Sequence, residues 1–78
     1  MVLVVSSRLD CRGLFDPVPL VLLRRALAKM RGGEILELIS DDPASESDMR
    51  AWANLTGHQL LEIYFRGNEV SCYIEKHL

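Results

Sequence analysis

The chain has 78 residues, room for one small domain, and 49% of them are apolar, enough for a modest core. Lys and Arg number 9 and Asp and Glu 11, a net charge of -2 that argues against a strong nucleic-acid binder. The two cysteines, Cys11 and Cys72, have no CxxC spacing, which argues against a zinc framework, and no apolar run reaches the ~18 residues a membrane span needs.

The elements follow in order. Residues 2–9, VLVVSSRL, alternate as a strand, with Leu3, Val5, Ser7 and Leu9 on one face. A glycine loop follows, Asp10-Cys11-Arg12-Gly13-Leu14-Phe15. Helix one is expected from Pro17 to Met30, with Leu20, Leu23, Leu27 and Met30 as its core stripe and Asp16 as its N-cap. Gly32-Gly33 stops it. Strand two is 34–40, with Leu36 and Leu38 turned inward.

Asp42 is expected to cap helix two, with Pro43 in its first turn and Met49, Trp52, Ala53 and Thr56 on its inner face. Strand three is read at 58–66, with Leu61, Ile63 and Phe65 on one face. Gly67-Asn68 is a hairpin signal, and strand four at 69–76 alternates Val70, Cys72 and Ile74.

The order βαβαββ predicts an α/β (α+β) two-layer sandwich: a four-stranded mixed sheet with both helices on one face, as a single domain over 1–78. The other sheet face is expected to carry Val4, Ile35, Ile39, Leu60, Tyr64 and Tyr73, more apolar content than a solvated sheet needs. It is a candidate surface for a weak homodimer.

The stretch LDCRGLFDPVP resembles the signature of the TusA/SirA-like sulfur-carrier family, Leu-Asp-x-x-Gly-Leu-x-Cys-Pro-x-Pro. Leu9, Asp10, Gly13, Leu14, Pro17 and Pro19 match it. Downstream, Gly33-Glu34, Asp41-Asp42-Pro43-Ala44, Asp48, Trp52 and Gly57-His58 continue the likeness. The resemblance implies a βαβαββ carrier that takes persulfide sulfur from a cysteine desulfurase and hands it to relay proteins, for example toward tRNA 2-thiouridine. The two thiols and the lack of a signal core suit a cytoplasmic setting.

One position departs from the signature. Where the family places its sulfur-bearing cysteine, this chain has Asp16. A thiol there would gain thiolate character from a helix N-terminus. A carboxylate is stabilised by the same field and cannot hold a persulfide. Two origins are open, an introduced replacement and a natural one with Cys11 as the substitute thiol. Cys11 lies beside Arg12, whose charge would favour a thiolate if the sulfur is exposed. Cys72 reads as core.

Partner contacts are expected at Arg12, Gly13, Leu14, Pro17 and Pro19 of the loop. Arg25 and Lys29 on one face of helix one would dock an acidic partner such as the desulfurase. Asp41, Asp42, Glu46 and Asp48 read mainly as caps matched to the dipole of helix two. No cofactor or metal motif is present in the sequence. The competing reading is a binding module on the same fold that engages protein partners without carrying sulfur.

Overall fold

The computed structural model describes residues 3–78. Its elements are β1 (Val5–Asp10), α1 (Val18–Ala28), β2 (Ile35–Ser40), α2 (Ser45–Thr56), β3 (Gln59–Arg66) and β4 (Glu69–Glu75). The strands form one sheet in the order β1-β2-β4-β3. β1 and β2 run parallel, a pairing that needs a crossover, and α1 supplies it. β4 lies antiparallel to both β2 and β3, closed by the Gly67-Asn68 turn, where Gly67 takes a φ of 59°.

Both helices cover the same face, so the two-layer βαβαββ sandwich expected from the periodicity is the observed architecture. The core lies between the layers. Leu36, Leu38, Cys72 and Ile74 from the sheet meet Leu23 and Leu27 from α1 and Met49 and Trp52 from α2, and all eight are buried. Each large side chain among them contributes roughly 1.5–3 kcal/mol relative to exposure. α2 ends where Gly57 enters the left-handed region at φ 81° and its N–H bonds the Ala53 carbonyl.

Two bulges correct the expected strand faces. In β1 the register shifts between Val5 and Ser7, so Val5 stands opposite Ile35 on the open face while Leu9 stands opposite Leu38 toward the core. In β3 it shifts between Leu60 and Glu62. Leu60 therefore pairs with Ile74 and packs on the core, where strict alternation placed Leu61. A bulge inserts one residue and reverses the alternation beyond it, which period-2 reading cannot detect. Phe65 is aligned with buried Val70 yet remains 63% exposed. β1 starts at Val5, later than expected, and Val2 lies outside the described residues.

The open face carries a polar chain across the sheet. Glu37 accepts from Arg8 Nε at 2.9 Å and from the Tyr73 hydroxyl, and Tyr73 stands edge-to-face with Tyr64. Among the described residues no helix is long and apolar enough to cross a membrane.

Candidate functional site

The loop between β1 and α1 is tied down at several points. The Cys11 N–H continues the sheet by donating to the Ile39 carbonyl at 2.7 Å. The Leu14 N–H donates to the Cys11 carbonyl at 3.1 Å, closing a turn around Gly13, whose φ of 79° suits glycine. Asp10 accepts from the Arg12 backbone at 3.1 Å and from Arg12 Nε at 3.0 Å. The Arg12 guanidinium holds the Asp10 carboxyl down at about 2. The same guanidinium reaches Glu69 at 3.5 Å, so Arg12 joins the loop to the β3–β4 hairpin.

Two acidic residues after β2 hold the loop from the other side. Asp41 Oδ1 accepts from the Gly13 N–H at 2.9 Å, and Asp42 Oδ2 accepts from the Asp16 N–H at 3.3 Å. The sequence places Asp42 as the N-cap of α2 with Pro43 in its first turn, and the structure corrects this: α2 begins at Ser45, with Ala44 in the capping position and no side-chain cap bond. Asp42 has a local role all the same, its Oδ1 accepting from the Ala44 N–H at 3.0 Å ahead of the helix. The second role was invisible because nothing local in the chain marks an acceptor for an amide 26 residues away.

Asp16 does not cap α1. The helix begins at Val18, with Pro17 in the capping position and no side-chain cap bond. A cap at 16 would address the amides of residues 18 and 19. The Val18 N–H is already taken by the Phe15 carbonyl at 2.9 Å, and Pro19 has none. The Asp16–Pro17 peptide is cis. The Asp16 side chain is exposed, and among the described residues its carboxylate has no hydrogen-bond or ion-pair partner. It stands at a narrow cleft with an apolar floor of Pro19, Leu20, Leu38 and Met49 and a rim of Asp42, Ser45 and Asp48.

Cys11 is the second correction. It is 0% exposed and belongs to the core, as Cys72 does. Its position at the strand's end, with its amide bonded into the sheet, turns the side chain under the loop. Burial pushes the Cys11 thiol up, and the Asp10 charge adds to that. Arg12 gives no help, being engaged by Asp10 and Glu69. The Cys72 thiol is pushed up to about 11, by burial first and then by Glu46.

Of the other loop positions expected at a site, Arg12, Gly13 and Pro17 are exposed, Leu14 is half-buried against the core and Pro19 is buried. Arg25 and Lys29 are exposed on α1. Val21, Arg24, Arg25 and Ala28 line one shallow hollow there. The ion pairs among the described residues use Arg8, Arg12 and Arg50, leaving Arg24, Arg25, Lys29 and Arg31 without a carboxylate partner. Phe15 at 66% exposure and Val18 at 43% continue this surface toward Asp16.

The fold and site define a small α+β domain with an exposed loop beside an apolar and cationic helix face. The comparisons with known proteins name the class. The profile of the family Sulfurtransferase TusA matches residues 7–76. A putative sulfur carrier protein YrkI of Bacillus subtilis is 35% identical over 68 residues, 87% of this chain and 91% of that protein. The sulfur carrier protein TusA of Allochromatium vinosum is 35% identical over 71 residues, 91% of this chain and 93% of its own. A putative sulfur carrier of Aquifex aeolicus is 37% identical over 68 residues, which span only 34% of that longer protein. The crystal structure of a SirA-like protein from Desulfitobacterium hafniense superposes with a TM-score of 0.80 over 94% of this chain and 100% of that one, at 20% identity, a likeness of fold. The chain belongs to the TusA sulfurtransferase family, and membership implies sulfur-relay proteins as its partners.

Proposed function

We propose that this chain is a docking member of the sulfur-relay family that engages relay proteins without carrying sulfur itself. One observation supports the reading above the others: the loop residue offered to a partner is a carboxylate, Asp16, while both thiols of the chain are 0% exposed. Persulfide transfer needs a thiolate that a partner's sulfur can reach. In this reading Asp16 occupies the place of the family's cysteine, and Cys11 does not replace it.

The partner class is a cysteine desulfurase or another relay protein of the cytoplasm, of the kind that feeds tRNA thiolation. Docking uses the loop with Phe15 and Val18 and the unpaired cations of α1. Titration of a cysteine desulfurase with this protein tests it. Binding is expected to weaken as salt rises, and R25E/K29E to weaken it by about tenfold, since charges at a docking rim act mainly through complementarity. Equal binding by wild type and R25E/K29E rules out this docking face. The open sheet face, with Tyr64 56% exposed, is the surface we assign to any weak self-association, which sedimentation across a concentration series detects.

A further inference from the structure

His58 joins α2 to β3, and its half-buried ring lies between Trp52 and His77. It stacks on Trp52 with ring centroids 5.3 Å apart and planes 20° from parallel. Its backbone N–H donates to Thr56 Oγ1 at 3.4 Å. Its Nδ1 accepts the backbone N–H of His77 at 2.9 Å, and the His77 ring meets it edge-on at 6.5 Å. That last bond joins the segment after β4 to the end of α2. The residue before, Lys76, joins the same segment to the end of α1: its ammonium donates to the Leu27 carbonyl, and its backbone pairs with Gly33 and Glu34. Residues 76–77 thus strap the C-terminal ends of both helices to the sheet.

The two fastenings differ in chemistry. The Lys76 fastening uses an ammonium, a backbone N–H and carbonyl acceptors and needs no imidazole lone pair. The His58 bond exists only while Nδ1 has a lone pair, so the imidazole must be neutral with its proton on Nε2. We infer that His58 is a proton-operated latch, which holds the His77 segment to the end of α2 when neutral and releases it when protonated. On protonation Nδ1 becomes a donor facing another donor, the His77 N–H. The charged groups bearing on the ring are Lys76 and His77, and both oppose a further positive charge there. Glu75, although opposite Gln59, alternates with buried Ile74 and directs its side chain to the open sheet face. The Trp52 face works the other way, since a ring attracts a stacked cation. Burial first, with Lys76 and His77 adding, sets the His58 pKa below its ordinary value of 6.5.

The test is an NMR titration of the wild-type protein between about pH 8 and pH 5, where an imidazole changes charge. It follows the His58 ring protons together with hydrogen exchange at the amides of His77 and Lys76, corrected for intrinsic rates. The His77 protection factor is expected to fall by about tenfold in step with the His58 titration, the scale of one hydrogen bond, while the Lys76 amide keeps its protection. In H58N an amide oxygen can take the place of Nδ1 and does not titrate, so protection at His77 should hold across the range. Unchanged His77 protection in wild type as His58 charges, absence of any His58 titration in the range, or equal loss in H58N would each overturn the latch.

Discussion

The backbone N–H of Asp16 is bonded to the side chain of Asp42, at 3.3 Å, so the loop ahead of α1 is held by the turn ahead of α2. With Gly13 bonded to Asp41 alongside it, the two helix entrances form one unit at the end of the sheet.

Removal of the Asp42 side chain should therefore act at two places. D42A deletes the acceptors of the Asp16 and Ala44 amides. The expected loss is about 1–2 kcal/mol in urea unfolding, with faster exchange at the Asp16 amide than global unfolding accounts for. A variant that unfolds earlier but keeps Asp16 protected would separate the two roles and contradict the shared unit.

The thiols give a second prediction. In the native wild type, iodoacetamide should modify Cys11 and Cys72 only slowly, at rates that rise with urea, because both are 0% exposed. D16C should add one thiol that reacts at least ~100-fold faster, as exposure and thiolate fraction set the rate. Mass spectrometry after timed quenching locates the label. Fast native labelling of Cys11 would mean that the loop opens far more readily than its hydrogen bonds indicate.

Asp10 supplies a pH prediction. Its folded pKa, about 2, lies below the ordinary carboxyl value because Arg12 bonds the ionised form. A depressed folded value favours the folded state above the unfolded pKa, and that support fades as pH falls from about 4 toward 2. The group is exposed to solvent, so the effect is small. Comparing wild type with D10N by urea unfolding at descending pH isolates it: the gap between the two should narrow toward the acid end, and a constant gap contradicts the pairing.

The core prediction rests on Leu36, which is 0% exposed at the centre of the sheet. L36A should cost about 2–5 kcal/mol, whereas L55A, at a position 86% exposed, should stay within about 0.5 kcal/mol of wild type. Denaturant unfolding of the pair checks the placement of the core.

Much of this architecture is legible in the residues themselves. The Leu23/Leu27 stripe, the alternation of Val70, Cys72 and Ile74, and the Gly67-Asn68 turn each follow from a local periodicity or a backbone requirement, and together they give the order of elements. The faces of Val5 and Leu60 are not legible, because a bulge is decided by pairing with another strand. The site divides in the same way. The loop stands out in the chain through its glycine and its Asp16-Pro17 pair. The cap at 16 fails because Pro19 offers no N–H and the Val18 N–H is bonded to the Phe15 carbonyl, a competition that the preference for Asp before Pro does not reveal. The burial of Cys11 depends on where β1 hands its last amide to Ile39, a contact between residues far apart in sequence.

Whether this protein docks in a sulfur relay without carrying sulfur is tested most directly by intact mass after incubation with a cysteine desulfurase, cysteine and labelled sulfur, run in parallel on wild type and D16C. The account predicts no added sulfur on the wild-type chain and one on D16C, located at position 16. A wild-type chain that gains sulfur at Cys11 under native conditions would contradict it.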